Sequence, residues 1–407
     1  MLPKPAPATR SRLHRTVWTL GFVSLFMDVS SEMVHALLPI FLTGTLGASL
    51  LLVGLIEGIG EATASIVKVF SGYASDRFRR RKALILLGYG LGAVSKPLFA
   101  IAGAPTLVLA ARFADRVGKG IRGAPRDALI ADVTPPSMRG RAFGLRQSLD
   151  TAGAFIGPLL AVGLLLALSS NIRAVFWLAA IPGVIAVLLI FTLVQEARPV
   201  AHNEAPVPIR LGDLRRLPRS FWKVVGVGAA FMLARFSEAF LILKVSQAGL
   251  PLVYAPLALV AMNFIYSLGA YPAGILSDRV SAASLLLVSL AALIGADLVL
   301  ALTNSLWSVF VGIGLWGLHM ALSQGLLSKM IADQAPPSLR GSAFGMFNLF
   351  TGIMVLMASL IAGLMWDQFG PQATFLAGAG FASVCAVLVS FIMTGDGMKA
   401  PSDLETR

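Results

Sequence analysis

The chain has one cysteine, Cys385, so no intrachain disulfide can form and thiol usage says nothing about redox compartment. Charge is scarce as well: Asp, Glu, Lys and Arg make up 13% of 407 residues, about half the share in a soluble domain. An ordinary water-facing surface cannot be built from so few. Also missing are a Gly-rich phosphate loop closed by Lys-Ser/Thr, a paired-histidine metal motif and a nucleophile-elbow pentapeptide. ATP-driven work, metal catalysis and acyl transfer therefore find no support. The chain is not expected to be an enzyme, and no cofactor or metal is expected.

Apolar sequence fills the space. Hydrophobic residues are 57% of the chain and gather in twelve runs: 17–42, 50–71, 83–103, 106–127, 141–168, 173–194, 222–243, 252–276, 283–303, 306–330, 341–365 and 372–394. A helix crossing a bilayer needs roughly 20 residues, so each run is a candidate span. The first is too long for a cleavable signal peptide and carries Asp28 and Glu32.

The runs are ordered by an internal echo. Residues 130–144 read IADVTPPSMRGRAFG, and residues 331–345, 201 positions later, read IADQAPPSLRGSAFG. Gly72, Asp76 and Arg77 return as Gly274, Asp278 and Arg279 at an offset of 202. A repeated half-length unit follows. The expected organisation is a six-helix bundle over 1–195, a Pro- and charge-rich cytoplasmic linker over 196–220, a second bundle over 221–396 and a cytoplasmic tail over 397–407.

The net charge of +13 raises the question of nucleic acid, but its distribution argues for a membrane. Basic residues concentrate in the N-terminal tail and in the 2–3, 4–5 and 6–7 loops, whereas the alternate loops hold Arg173 and Lys244. This positive-inside pattern places both termini in the cytoplasm and excludes a nucleic-acid partner.

Twelve spans in two repeats, with GYASDRFRRRK between spans 2 and 3, resemble the major facilitator superfamily. Gly72, Asp76, Arg77, Arg80 and Arg81 match its loop signature, while Arg79 and Ala74 depart from it. The resemblance implies an all-α membrane protein of twelve transmembrane helices in two pseudo-symmetric six-helix bundles. An aspartate near a helix N-terminus and an arginine facing a carboxylate make contacts that form in one packing of the bundles and break in the other. Gly72, Asp76, Arg77 and Arg80 are therefore expected to form a cytoplasmic latch. Asp132, Arg139, Asp278, Arg279, Asp333 and Arg340 are expected to be its counterparts. In span 5, Gly144, Gly153, Gly157 and Pro158 resemble the antiporter signature of proton-coupled exporters, with Ala161 in place of its last glycine. Close packing alone is the competing explanation for those small residues. Arg116 with Gly120 resembles the span-4 motif that handles protons in the family, although Lys119 replaces its glutamine.

Ionisable residues inside a bilayer must face a partner or water. Arg112, Asp115, Arg116, Lys119, Arg122 and Arg126 share a span-4 face about 120° wide at 100° per residue. Asp28, Glu32 and His35 share a face of span 1; Glu57, Glu61 and Lys68 share one of span 2; Arg146, Asp150, Gly153 and Gly157 share one of span 5. Acids and bases nearly balance across spans 1–5, which predicts mutual pairing over an open anion trap. The candidates for proton coupling are Asp28, Glu32, His35, Asp115, Arg116 and Asp150. Arg112, Lys119, Arg146, Arg235, Glu238, Phe240, Asn263, Tyr266, Trp316, His319 and Asn348 are candidates for the cargo cavity, where Arg235 and Glu238 are spaced as a pair.

The function expected from these features is secondary transport by alternating access, driven by a proton gradient and exporting a small organic or drug-like molecule. Proton-coupled uptake of an organic anion or metabolite is the alternative, and a non-transporting membrane receptor a remote third. The partners would be cargo, protons and lipid, with the protein acting as a monomer in a bacterial-type inner membrane.

Overall fold

The structure is a computed structural model, and it describes residues 13–78, 81–135, 138–195, 218–277, 280–334 and 340–394. Every regular element among them is helical. With no water to take up backbone hydrogen bonds in lipid, apolar runs of this length satisfy their own N–H and C=O groups as helices. The helices are α1 Arg15–His35, α2 Leu38–Ile40, α3 Leu50–Phe78, α4 Arg81–Ile101, α5 Pro105–Asp132, α6 Arg139–Ala167 and α7 Ile172–Leu193. They continue as α8 Arg219–Leu233, α9 Ala239–Gln247, α10 Leu257–Ser277, α11 Ala282–Leu302, α12 Leu306–Gln334, α13 Arg340–Phe369 and α14 Pro371–Thr394.

These helices make twelve crossings, because α1 with α2 forms the first and α8 with α9 the seventh. Ten segments qualify as spans by length and apolarity alone. The other two crossings are α5, interrupted by its charges, and α8–α9, interrupted by a break. Within the runs 17–42 and 222–243 the helix is broken: α1 stops at His35, and residues 234–238 between α8 and α9 are not helical. The breaks fall at matching places in the two repeats. Each broken crossing ends in a glycine of positive φ, Gly47 at 65° and Gly249 at 93°, a conformation that L side chains rarely adopt.

Two groups of helices pack internally, α1 with α6 and α7 and α3 and α4 with α5 in the first, α10 and α11 with α12 and α14 with α11 in the second. The groups meet along α3 and α13, and again where α6 meets α10. Small residues bring the first pair close. A Cβ on Gly54 would lie 2.1 Å from the Ser359 carbonyl oxygen, and one on Gly363 2.4 Å from that of Leu50. The ends of the bundle differ in chemistry. At the end of the 1–2 and 7–8 connections, Arg173 donates to the Ala100 carbonyl and lies over the Phe41 ring, while Lys244 donates to the Asn304 side chain. The opposite, basic end carries Arg81, paired with Asp132. The expected linker and tail lie mostly outside the described residues.

Candidate functional site: a charged cavity between the two halves

Between the halves lies a cavity of about 450 Å³ that continues into a second of about 420 Å³. Glu32, Glu61, Ser65, Lys119, Ala154, Asn263 and Asn348 line both. Its floor is set by His35, Glu57 and Phe236; from there the lining climbs through Lys68, Arg126 and Gln147 toward the basic end. At the charge-poor end the halves are closed. The Asp367 carboxylate accepts from the backbone N–H groups of Leu50 and Leu51 at 2.9 and 2.8 Å, and α2 packs on α9.

The charged face of α5 contacts four neighbouring helices. Arg112 donates to Glu57 at 2.5 Å and Lys96 to Asp115 at 2.7 Å, and Arg116 ion-pairs with Glu61 at 3.0 Å. Arg126 contacts Ser24 at 2.9 Å, Asp127 at 3.0 Å and Asp150 at 3.8 Å; Arg122 lies over the Tyr89 ring. Lys119 is exposed to the cavity and ion-pairs with no carboxylate among the described residues.

A short polar chain crosses the floor. The His35 ring contacts Glu32 through Nδ1 at 3.3 Å and Glu57 through Nε2 at 3.6 Å. It thus joins the more exposed Glu32 carboxyl to the buried Glu57–Arg112 pair at the floor. Higher up, the Asp28 carboxyl stands beside that of Asp150. The span-5 glycines seat both α1 acids. A Cβ on Gly153 would lie 3.0 Å from Asp28 Cβ, and one on Gly157 2.7 Å from Glu32 Cβ. Pro158 lies buried within α6, and Gly144 touches nothing.

Asp28, Glu32, His35, Arg116 and Asp150 thus reach the cavity, whereas Asp115 is sealed against Lys96. Of the expected cargo contacts, Lys119, Arg235, Glu238, Asn263, Tyr266 and Asn348 line the wall, and Arg235 donates to Glu238 at 2.9 Å. The others do not. Arg112 is consumed by Glu57, and Arg146 turns to Asp150 and Gln147. Phe240 and Trp316 belong to a packed aromatic cluster with Phe236, Trp366 and Phe375. His319 is stacked on Phe231 and bonded to Ser289. Sequence reasoning missed Met232, Met262, Met320 and Thr351 on the second-half wall; methionine in an apolar run carries no signal that it faces a cavity. Of the latch, Asp132 alone is described with its side chain, and its partner Arg81 lies in the same half. Arg80, Asp278 and Arg279, the surroundings of Gly72, and the side chains of Asp76, Arg77, Arg139, Asp333 and Arg340 lie outside what is described.

The sequence profile of the Major Facilitator Superfamily matches residues 20–267 and 245–406. The chain belongs to that superfamily. It is 32% identical over 386 residues to an MFS-type transporter of Methanocaldococcus jannaschii, covering 93% of this chain and 95% of that one. It is 27% identical over 362 residues to the multidrug resistance protein MdtH of Proteus mirabilis, covering 86% and 88%. A crystal structure of a mutant of the nucleoside transporter NupG superposes with a TM-score of 0.76 at 16% identity, over 93% of this chain and all of that one. The superfamily member described here is a multi-pass membrane transporter of small molecules.

Proposed function

We propose that this transporter is a proton-coupled exporter of small organic molecules in a bacterial-type inner membrane, acting as a monomer with its basic end in the cytoplasm. The observation that carries the reading is the Glu32–His35–Glu57 chain on the cavity floor. An imidazole between two carboxyls can pass a proton from the more open Glu32 to the buried Glu57 held by Arg112, which a change of packing would expose further. The cargo wall opposite has an apolar, adaptable part: Met232, Met262, Met320 and Phe347 can repack around different molecules. The span-5 signature and the likeness to MdtH support the outward direction.

Proton-coupled uptake of an organic anion is the second reading, favoured by the unpaired ammonium of Lys119. Everted vesicles test both. Export predicts ATP-independent accumulation of a lipophilic fluorescent dye with release of protons from an acidified lumen. Accumulation of an anionic dye in right-side-out vesicles, with none of the lipophilic dye in everted ones, would replace export with uptake. Dye movement without proton release would end the coupling claim.

A further inference from the structure

The second half contains a buried acid that the cavity chemistry leaves unused. Asp297 on α11 is 0% exposed, and neither of its carboxyl oxygens has a hydrogen-bond partner. It abuts α14, where a Cβ on Gly378 would lie 2.6 Å from its Oδ2 and 2.9 Å from Cε1 of Phe236. Trp316 packs on Phe236 with ring centroids 5.1 Å apart, and its indole N–H is buried without an acceptor. The titratable groups on the packed elements are engaged elsewhere: Arg235 at the break with Glu238, His319 on α12 with Ser289, and Cys385 on α14 near the Val227 carbonyl. Among the described residues no charged group acts on Asp297.

The repeat explains the composition of this site. Asp297 follows Lys96 by 201 positions, and Trp316 follows Asp115 by the same 201, the offset of the duplicated sentence itself. In the first half these positions hold an ion pair of 2.7 Å across α4 and α5. In the second half a carboxyl stands in the lysine's place and an indole in the aspartate's, so the pair has lost its cation. An isolated carboxylate in apolar surroundings is far costlier than the neutral acid. A proton therefore does on Asp297 what the ammonium does for the first-half pair.

Access to that proton depends on one ring. Phe236 lines the cavity on one side and reaches the Asp297–Gly378 contact on the other. It is carried by residues 234–238, where span 7 has no helical backbone to hold it. We propose that Asp297 is a second proton-exchange site of the carrier, reached from the cavity past Phe236 at the break in span 7. Hydronium gives its proton to the carboxylate, leaving the neutral acid and water; release is the reverse, with no other reactant. Its use in transport rests on the proton-coupled reading above, but the exchange itself does not.

Infrared spectroscopy of the purified full chain tests the site. The wild type shows the carbonyl stretch of a protonated carboxylic acid, and Asp297→Asn removes one such band. In deuterium oxide that band shifts while the protein remains folded, and Phe236→Ala speeds the shift several-fold. No Asp297-dependent band, a band that never exchanges, or exchange indifferent to Phe236→Ala overturns the proposal. Should Asp297→Asn not fold, dicyclohexylcarbodiimide labelling of the wild type, mapped by peptide mass, replaces it: an adduct at Asp297 supports the site, and its absence refutes it. Dye transport is measured alongside. Exchange at Asp297 in a protein that moves no dye contradicts the exporter reading and leaves the site standing.

Discussion

Arg112, Asp115, Arg116, Lys119, Arg122 and Arg126 lie on one face of α5, and single-residue chemistry now separates them. Arg112, Asp115 and Arg116 are locked in pairs; Lys119 alone of the six is exposed to the cavity without a carboxylate or aromatic partner. Substituting Glu57→Gln strands the Arg112 guanidinium in a site where both side chains are nearly inaccessible. Removing one partner of such a pair costs about 3–5 kcal/mol, so a marked fall in melting temperature is expected. The double variant Glu57→Gln/Arg112→Met should recover part of it, since no buried charge is left alone. Lys119→Gln breaks no pair and should leave the melting temperature within the error of the wild type. A large loss of stability there would show that Lys119 is a hidden structural partner. The shared face was legible from spacing, because helical periodicity is local. The partners were not: Glu57 and Arg112 are 55 positions apart, and no periodicity links two helices across that distance.

At the scale of elements, the span-5 signature does two different things. Gly157 gives α1 room at Glu32, whereas Gly144 touches nothing within 4 Å. Gly157→Ala forces a methyl against Glu32 Cβ and the Val29 carbonyl; overpacking of this kind costs about 1–3 kcal/mol. Gly144→Ala meets open space in a helix, where alanine is favoured by about 0.5–1 kcal/mol. The two variants should therefore shift the melting temperature in opposite directions, and Gly157→Ala alone should slow dye transport by displacing Glu32. Equal behaviour of the two glycines would contradict the seating of α1 on α6. The breaks at 36–37 and 234–238 were not legible. Apolar residues continue through both, so periodicity does not register them, and it is the packing of α2 on α9 that shows the reoriented segments in use.

For the whole molecule, alternating access requires that the closed end be held by contacts weak enough to part. The Asp367 carboxylate is one such clasp, joining α13 to the first turn of α3. A hydrogen bond to a charged group contributes about 1.5–3 kcal/mol. Asp367→Ala removes two such bonds; both are open to solvent and worth less there, so together they are expected to shift the two-state balance by about tenfold, at about 1.4 kcal/mol per decade. A cysteine placed at Ser359, fully buried where α13 meets Gly54 of α3, should then react faster with a membrane-impermeant maleimide from the charge-poor side. An unchanged rate would show that the clasp does not bias the equilibrium.

The sequence by itself determined the membrane location, the twelve crossings, the duplication and the charged stripe of span 4. All of these follow from composition, run length and repeats, which are properties of the chain read in order. Tertiary structure alone decided which charges cancel, which face the cavity, and that Phe240, Trp316 and His319 are packing rather than wall. It also decided that Asp297, in the sequence one of the few ionisable residues inside the second-half spans, lacks the cation that its repeat position holds in the first half. The reason is physical: the electrostatic role of a buried group depends on what stands within a few ångströms of it, and those neighbours come from helices far apart in the chain.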